Sequence, residues 1–162
     1  MKIKLFIVLI CLTALSLPAF AQKAEAEKLV EFGLITCEEY LATIDVAITQ
    51  AHNNPSLKVV VFVYEGKTQR YKYKKDESYT IESVWPQYGL ANAKIRSIKK
   101  YLSLRGASPE RFMFVKAGFR ENFTVEIWFV PDGVKQPEPT PTLTKVKYRK
   151  GKPEGFCLGC CE

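Results

Sequence analysis

The stretch RYKYKK, Arg70 to Lys75, interleaves cations with tyrosine rings. That pattern grips anionic polymers through charge and through ring faces. In an extended chain Arg70, Lys72 and Lys74 share one face, and Tyr71 and Tyr73 the other. Asp76 and Glu77 follow at once and dilute the charge. Lysines on an exposed strand also protect it from edge-to-edge aggregation. The stretch therefore has two readings, a binding surface or a charged loop or edge.

Thiols are the second source of chemistry. Cys11 lies in the apolar leader, which leaves Cys37, Cys157, Cys160 and Cys161. Four cysteines in an oxidising compartment point to disulfides, with three possible pairings. Cys157 and Cys160 can close locally, while a bridge between the adjacent Cys160 and Cys161 is strained. Cys161 is then left for another chain or for Cys37. Cys37 itself falls on an apolar helix face, where it reads as a small buried hydrophobe. Three tail thiolates are one ligand short of a closed zinc site, so no metal site and no cofactor is assigned.

Other catalytic chemistry lacks its residues. His52 is the single histidine. It falls in the last turn of a helix, where an imidazolium favours the negative end of the dipole. No glycine-rich phosphate loop, nucleophile elbow or paired-acid motif occurs, so no catalytic residue is assigned and the chain reads as a non-enzyme. Trp85 and Trp128 read as packing residues.

Residues 1–21 have the parts of a secretory signal: basic Lys2 and Lys4, an apolar run from Leu5 to Leu17, and Ala19-Phe20-Ala21 as a small-x-small site. The run is shorter than the about 20 residues that span a bilayer, and no later stretch approaches that length. A periplasmic or secreted protein without a transmembrane segment follows. The formal charge of +7 falls by two when the leader is lost. Outside the cytoplasm such a balance favours anionic envelope polymers or another envelope protein as partner, and not nucleic acid.

The remaining chain positions these groups as follows. Thr36 and Glu39 have capping-box spacing at the start of a helix. Cys37, Leu41, Ile44, Ile48 and Ala51 form its apolar face, and Asn53-Asn54-Pro55 ends it. A strand is expected within Leu29 to Ile35. LKVVVFVYEG reads as a strand covered on both faces. A long loop follows from Lys67 to Gln87. A second helix spans about Leu90 to Leu104, with Ala91, Ile95, Ile98 and Leu102 as its stripe and Lys94, Arg96, Lys99 and Lys100 on its other faces. Gly106 closes it and Ser108-Pro109 turns the chain. RFMFVKAGF and NFTVEIWFV are strands, and the second carries the sequon Asn122-Phe123-Thr124. Beyond Pro131 the composition becomes a proline- and threonine-rich linker, followed by a basic, cysteine-rich tail.

The fold class is thus α/β, an α+β sandwich with a mixed sheet of three to four strands and two helices in βαβαββ order. Its segments are 1–21 as signal, 22–131 as the domain, and 132–162 as a linker and tail independent of it apart from any bridge to Cys37. LVEFGLITCEEYLATID, VVVFVYEG and NAKIRSIKKYLSLRGASPERFMFVKAGFRE resemble the OmpA-like domain over roughly Lys28 to Val130. Exported bacterial proteins with an FG…C opening and a YL…RG…R core are also similar. The OmpA-like family holds peptidoglycan with an aspartate after the second strand and an arginine in the second helix. In this chain Glu65-Gly66 takes the aspartate's place, and Lys94, with Arg96 nearby, takes the arginine's. Lysine does not replace a planar guanidinium in zwitterion recognition. The resemblance therefore implies the fold without its ligand. The function expected is a non-catalytic binding or structural module of the bacterial envelope. The alternative is a secreted thiol protein whose cysteine tail forms disulfides or binds a metal.

Overall fold

A computed structural model describes residues 24–75 and 78–158. The leader, Asp76, Glu77, Cys160 and Cys161 lie outside the described residues. Strand β1 (Glu27–Phe32) leads into helix α1 (Cys37–Asn53), followed by β2 (Leu57–Tyr73), β3 (Tyr79–Val84), helix α2 (Leu90–Leu104), β4 (Phe112–Asn122) and β5 (Thr124–Pro131).

Local chemistry sets the helix ends. Glu39 N–H donates to Thr36 Oγ1 at 3.2 Å, and Thr36 N–H donates to Glu39 Oε2 at 2.9 Å, the reciprocal pair of a capping box. Gly106 adopts φ 65°, and Ala107 N–H donates back to Leu102 O at 2.9 Å, closing α2. Arg111, in the short 3₁₀ turn Pro109–Arg111, donates to the carbonyls of Ala51, Asn54 and Leu57. One guanidinium thereby ties the end of α1 to the start of β2.

Four strands form the packed sheet in the order β1-β5-β2-β4, with β2 and β4 parallel and the other pairs antiparallel. Without β3 the element order is βαβαββ, as expected. Val59, Val61 and Val63 of β2, with Val125 and Ile127 of β5, face both helices. Val60, Phe62 and Tyr64 face the other way, with Ala117 and Val130. β2 is therefore covered on both faces, and the two covers differ in kind. Helices cover one side, and Val134 of the tail packs against the other.

Three expectations need correction. The loop Lys67 to Gln87 contains β3, which pairs with residues 68–73 of β2 beyond the packed sheet, in register Arg70↔Glu82 and Tyr71↔Ile81. Lys94 is not on an outer face of α2. It is 7% exposed, and the buried stripe runs through Ala91, Lys94, Ile98, Tyr101 and Leu102.

The third correction concerns the tail, which is not separate from the domain. Thr142 and Leu143 N–H groups donate to Phe119 O, Arg149 N–H donates to Pro86 O, and Cys157 is bridged to Cys37. Proline keeps this segment extended, and the sheet and helices supply the apolar contacts its own composition lacks. Within the sheet, Gly66 lets β2 pass close to the end of β4, since a Cβ there would collide with the Asn122 backbone.

Candidate functional site

Residues 68–73 of β2 and all of β3 form a two-stranded arm outside the sheet. Tyr79 is 56% exposed and Ile81 51% exposed, an unusual state for large apolar side chains on a short ribbon. At the base of the arm a cleft of about 460 Å³ is lined by Leu34, Thr68, Gln69, Ile81 and Phe123 among others. Among the described residues β3 pairs with β2 alone, and an edge strand lacking lysine and proline is the kind to which an added strand can pair. Arg70, Lys72 and Lys74 are exposed along the arm. Lys72 Nζ lies 3.2 Å from Glu82 Oε1, which offsets part of that charge.

The other candidate cations do not join them. Arg96 is exposed on α2. Lys94 Nζ points inward, donating to Gly155 O at 3.0 Å and lying 4.3 Å from the centroid of Phe156. Burial lowers its pKa to about 8, with the Glu154 charge opposing that fall. Glu65 is likewise engaged within the fold. Its Oε1 accepts Ala91 N–H at 2.8 Å in the first turn of α2, where Gly89 supplies no side-chain cap. Its Oε2 accepts the Tyr148 hydroxyl at 2.5 Å. The anion-favouring end of α2 is thus filled by the chain's own carboxylate, and the tail supplies that carboxylate's second partner.

Beneath the tail, Phe156 stacks on Tyr40 at 4.2 Å between centroids and 13° from parallel, with Phe123 at 6.0 Å and Phe32 at 6.3 Å. Tyr40 is 1% exposed, and its hydroxyl has no hydrogen-bond partner among the described residues. Burial, with Tyr101 nearby, pushes that hydroxyl's pKa up. Leaving such a group unpaired costs about 1–3 kcal/mol. Cys37 and Cys157 close the groove with a bridge spanning 120 residues.

A charged cluster on the opposite face of the sheet had no signal beyond one acid in an apolar strand. Glu126 is 2% exposed and accepts hydrogen bonds from Arg120 at 2.8 Å, Lys28 at 3.1 Å, Trp128 at 3.1 Å and the Tyr64 hydroxyl at 3.2 Å. Burial alone would raise its pKa. The bonds from Arg120, Trp128 and Lys28, with the Arg120 charge, outweigh that and hold it at about 2. Arg120 also donates to Thr140 Oγ1 at 2.6 Å and to Thr140 O at 3.2 Å, fastening the tail over this face.

Residues 4–83 match the HdeA/HdeB family model, just under half of the chain. That family consists of periplasmic acid chaperones. The match covers β1, α1, β2 and nearly all of β3, and so includes the arm and Cys37 but not Cys157. No curated protein and no solved structure matches the chain. No helix among the described residues is long and apolar enough to cross a membrane.

Proposed function

We propose that this chain is an exported, non-catalytic module of the bacterial envelope that holds other proteins in a chaperone-like way, through the arm formed by β2 and β3. The observation that carries this reading is the exposure of Tyr79 and Ile81 on a ribbon that lies within the segment similar to the HdeA/HdeB family. Exposed apolar side chains on an edge strand suit extended, partly unfolded clients. Arg70, Lys72 and Lys74 add attraction for acidic segments or for an anionic envelope polymer. The depressed pKa of Glu126 supports a fold that keeps its buried ion cluster into acid. The OmpA-like resemblance contributes the scaffold to this proposal, and no ligand contact.

The test is suppression of aggregation of an acid-unfolded client, at pH 3 and at pH 7, by the wild-type chain and by Ile81→Lys. The substitution lies on an exposed strand, so the fold should persist while protection falls at least fivefold. Equal protection by the two proteins would remove the arm from the function.

A further inference from the structure

The run KVKYRKGK, Lys145 to Lys152, carries cations at Lys145, Lys147, Arg149, Lys150 and Lys152 and no acid. Neither the arm nor the ion cluster at Glu126 uses these charges. The fold pins the run to the loop between β3 and α2. Arg149 N–H donates to Pro86 O at 3.0 Å, and Arg149 Nε donates to Trp85 O at 2.9 Å. Arg149 also pairs with Gln87 as a parallel bridge, and the Tyr148 ring meets the Tyr88 ring edge-on at 5.4 Å between centroids. Held there, Lys145, Lys147, Lys150 and Lys152 remain exposed. Glu154 is the nearest acid in sequence, and the buried Glu65 is already engaged by Ala91 and Tyr148.

Beside these cations lies an apolar centre. Tyr88 is 79% exposed, and Trp85, Leu143 and Tyr148 are exposed with it. Phe119 links them, since its carbonyl accepts Leu143 N–H at 3.1 Å and it lines, with Tyr88 and Tyr148, a recess of about 370 Å³. A soluble acidic polymer needs only the cations. Exposed tryptophan and tyrosine beside lysine and arginine match a bilayer interface, where ring bodies sit among headgroups and cations meet lipid phosphates.

We infer that Trp85, Tyr88 and residues 143–152 form a face that docks the protein peripherally on a bilayer surface rich in anionic phospholipid. This goes beyond the protein-holding reading and does not depend on it. The two are adjacent in the chain, because Trp85 follows directly on Val84, the last residue of β3. A docked molecule therefore carries its arm at the bilayer.

The test is co-sedimentation of the full oxidised chain with phosphatidylcholine vesicles, with and without phosphatidylglycerol. A cation close to an anionic surface contributes about a fivefold gain in affinity. Binding to the anionic vesicles should be at least fiftyfold tighter than to the neutral ones, and should fall at least tenfold in high salt. Equal binding to the two vesicles, or binding indifferent to salt, overturns the face. Lys147→Glu with Lys150→Glu, both on exposed side chains, should cost at least twentyfold, and a change within twofold overturns it as well.

Tyr88→Ala separates a bilayer from a soluble polymer. It should weaken binding to anionic vesicles at least threefold and leave binding to a soluble sulfated polysaccharide unchanged. No effect on vesicles, or an equal effect on both, overturns the bilayer in favour of a polymer. Ile81→Lys, which disables the arm, should not weaken vesicle binding, and a fall would overturn the assignment of a separate face. Failure of the docking face and failure of the arm are therefore distinguishable.

Discussion

Phe156 lies face to face with Tyr40, joining a residue near the end of the described chain to the first turns of α1. The contact sits one residue from the Cys37–Cys157 bridge. Covalent and aromatic contacts thus fasten the same place, and the tail belongs to the folded domain.

Truncation after Gly133 should accordingly be costly. In the chain-entropy model a bridge across 120 residues contributes up to about 4–5 kcal/mol. Thermal melts should show a fall of roughly 10–20 °C, and reducing agent should reproduce part of it in the intact protein. A melting temperature unchanged within a few degrees would return the tail to the status of a separate appendage.

Glu126 should govern acid stability. Its folded pKa of about 2 lies below the usual carboxylate value of 4.5. Its contribution is therefore fully present above about pH 4.5 and is lost as pH falls toward 2. Glu126→Gln leaves the half-buried Arg120 to the more exposed Glu31, so a loss of up to about 3–5 kcal/mol at pH 7 is expected, narrowing at low pH. Urea melts at pH 7, 4 and 2.5 measure it, and a constant difference between the two proteins would contradict the assignment.

Tyr40→Phe should raise stability by about 1 kcal/mol, because it removes a buried hydroxyl without a partner and keeps the ring stacked on Phe156. Chemical denaturation of oxidised protein is the measurement. A clear destabilisation would mean that the hydroxyl is satisfied in solution.

Isolated sacculi should not retain the protein. Glu65 is occupied by Ala91 and Tyr148, and Lys94 by Gly155, so neither is presented to a peptide stem. Retention in a pull-down, with release on Lys94→Ala, would reverse this conclusion.

The parts of this fold legible in the sequence are those fixed by neighbours in the chain. Thr36 with Glu39, Asn54 before Pro55, and Gly106 each set a boundary through contacts within a few residues. Lys94 was legible by period, falling on the stripe of Ala91, Ile98 and Tyr101, but its charge argued for solvent. What it neighbours is Phe156, far away in sequence. The tail was obscured for the same reason. Val134, Leu143, Tyr148 and Phe156 are too widely spaced to form a periodic face, and each packs on a different part of the domain. Strand β3 was hidden because YTIESV alternates apolar and polar residues only from Tyr79 to Glu82, too briefly to stand out from a charged loop, and its side chains are mostly exposed. The arm, where the functional proposal rests, and the tail's contacts with the domain are thus the parts that local sequence logic reads least well.

The bridge also determines how the protein bears tension. Force applied outside Cys37 and Cys157 passes through one sulfur–sulfur bond and bypasses the 120-residue span between them. At about 3.3–3.6 Å per residue, roughly 400 Å of chain is thereby withheld from extension. Among the described strands only β1, antiparallel to β5 and lying before the bridge, can be drawn off. An oxidised molecule anchored at one end and pulled at the other would yield one strand and then stop, with its sheet, both helices and the arm still folded.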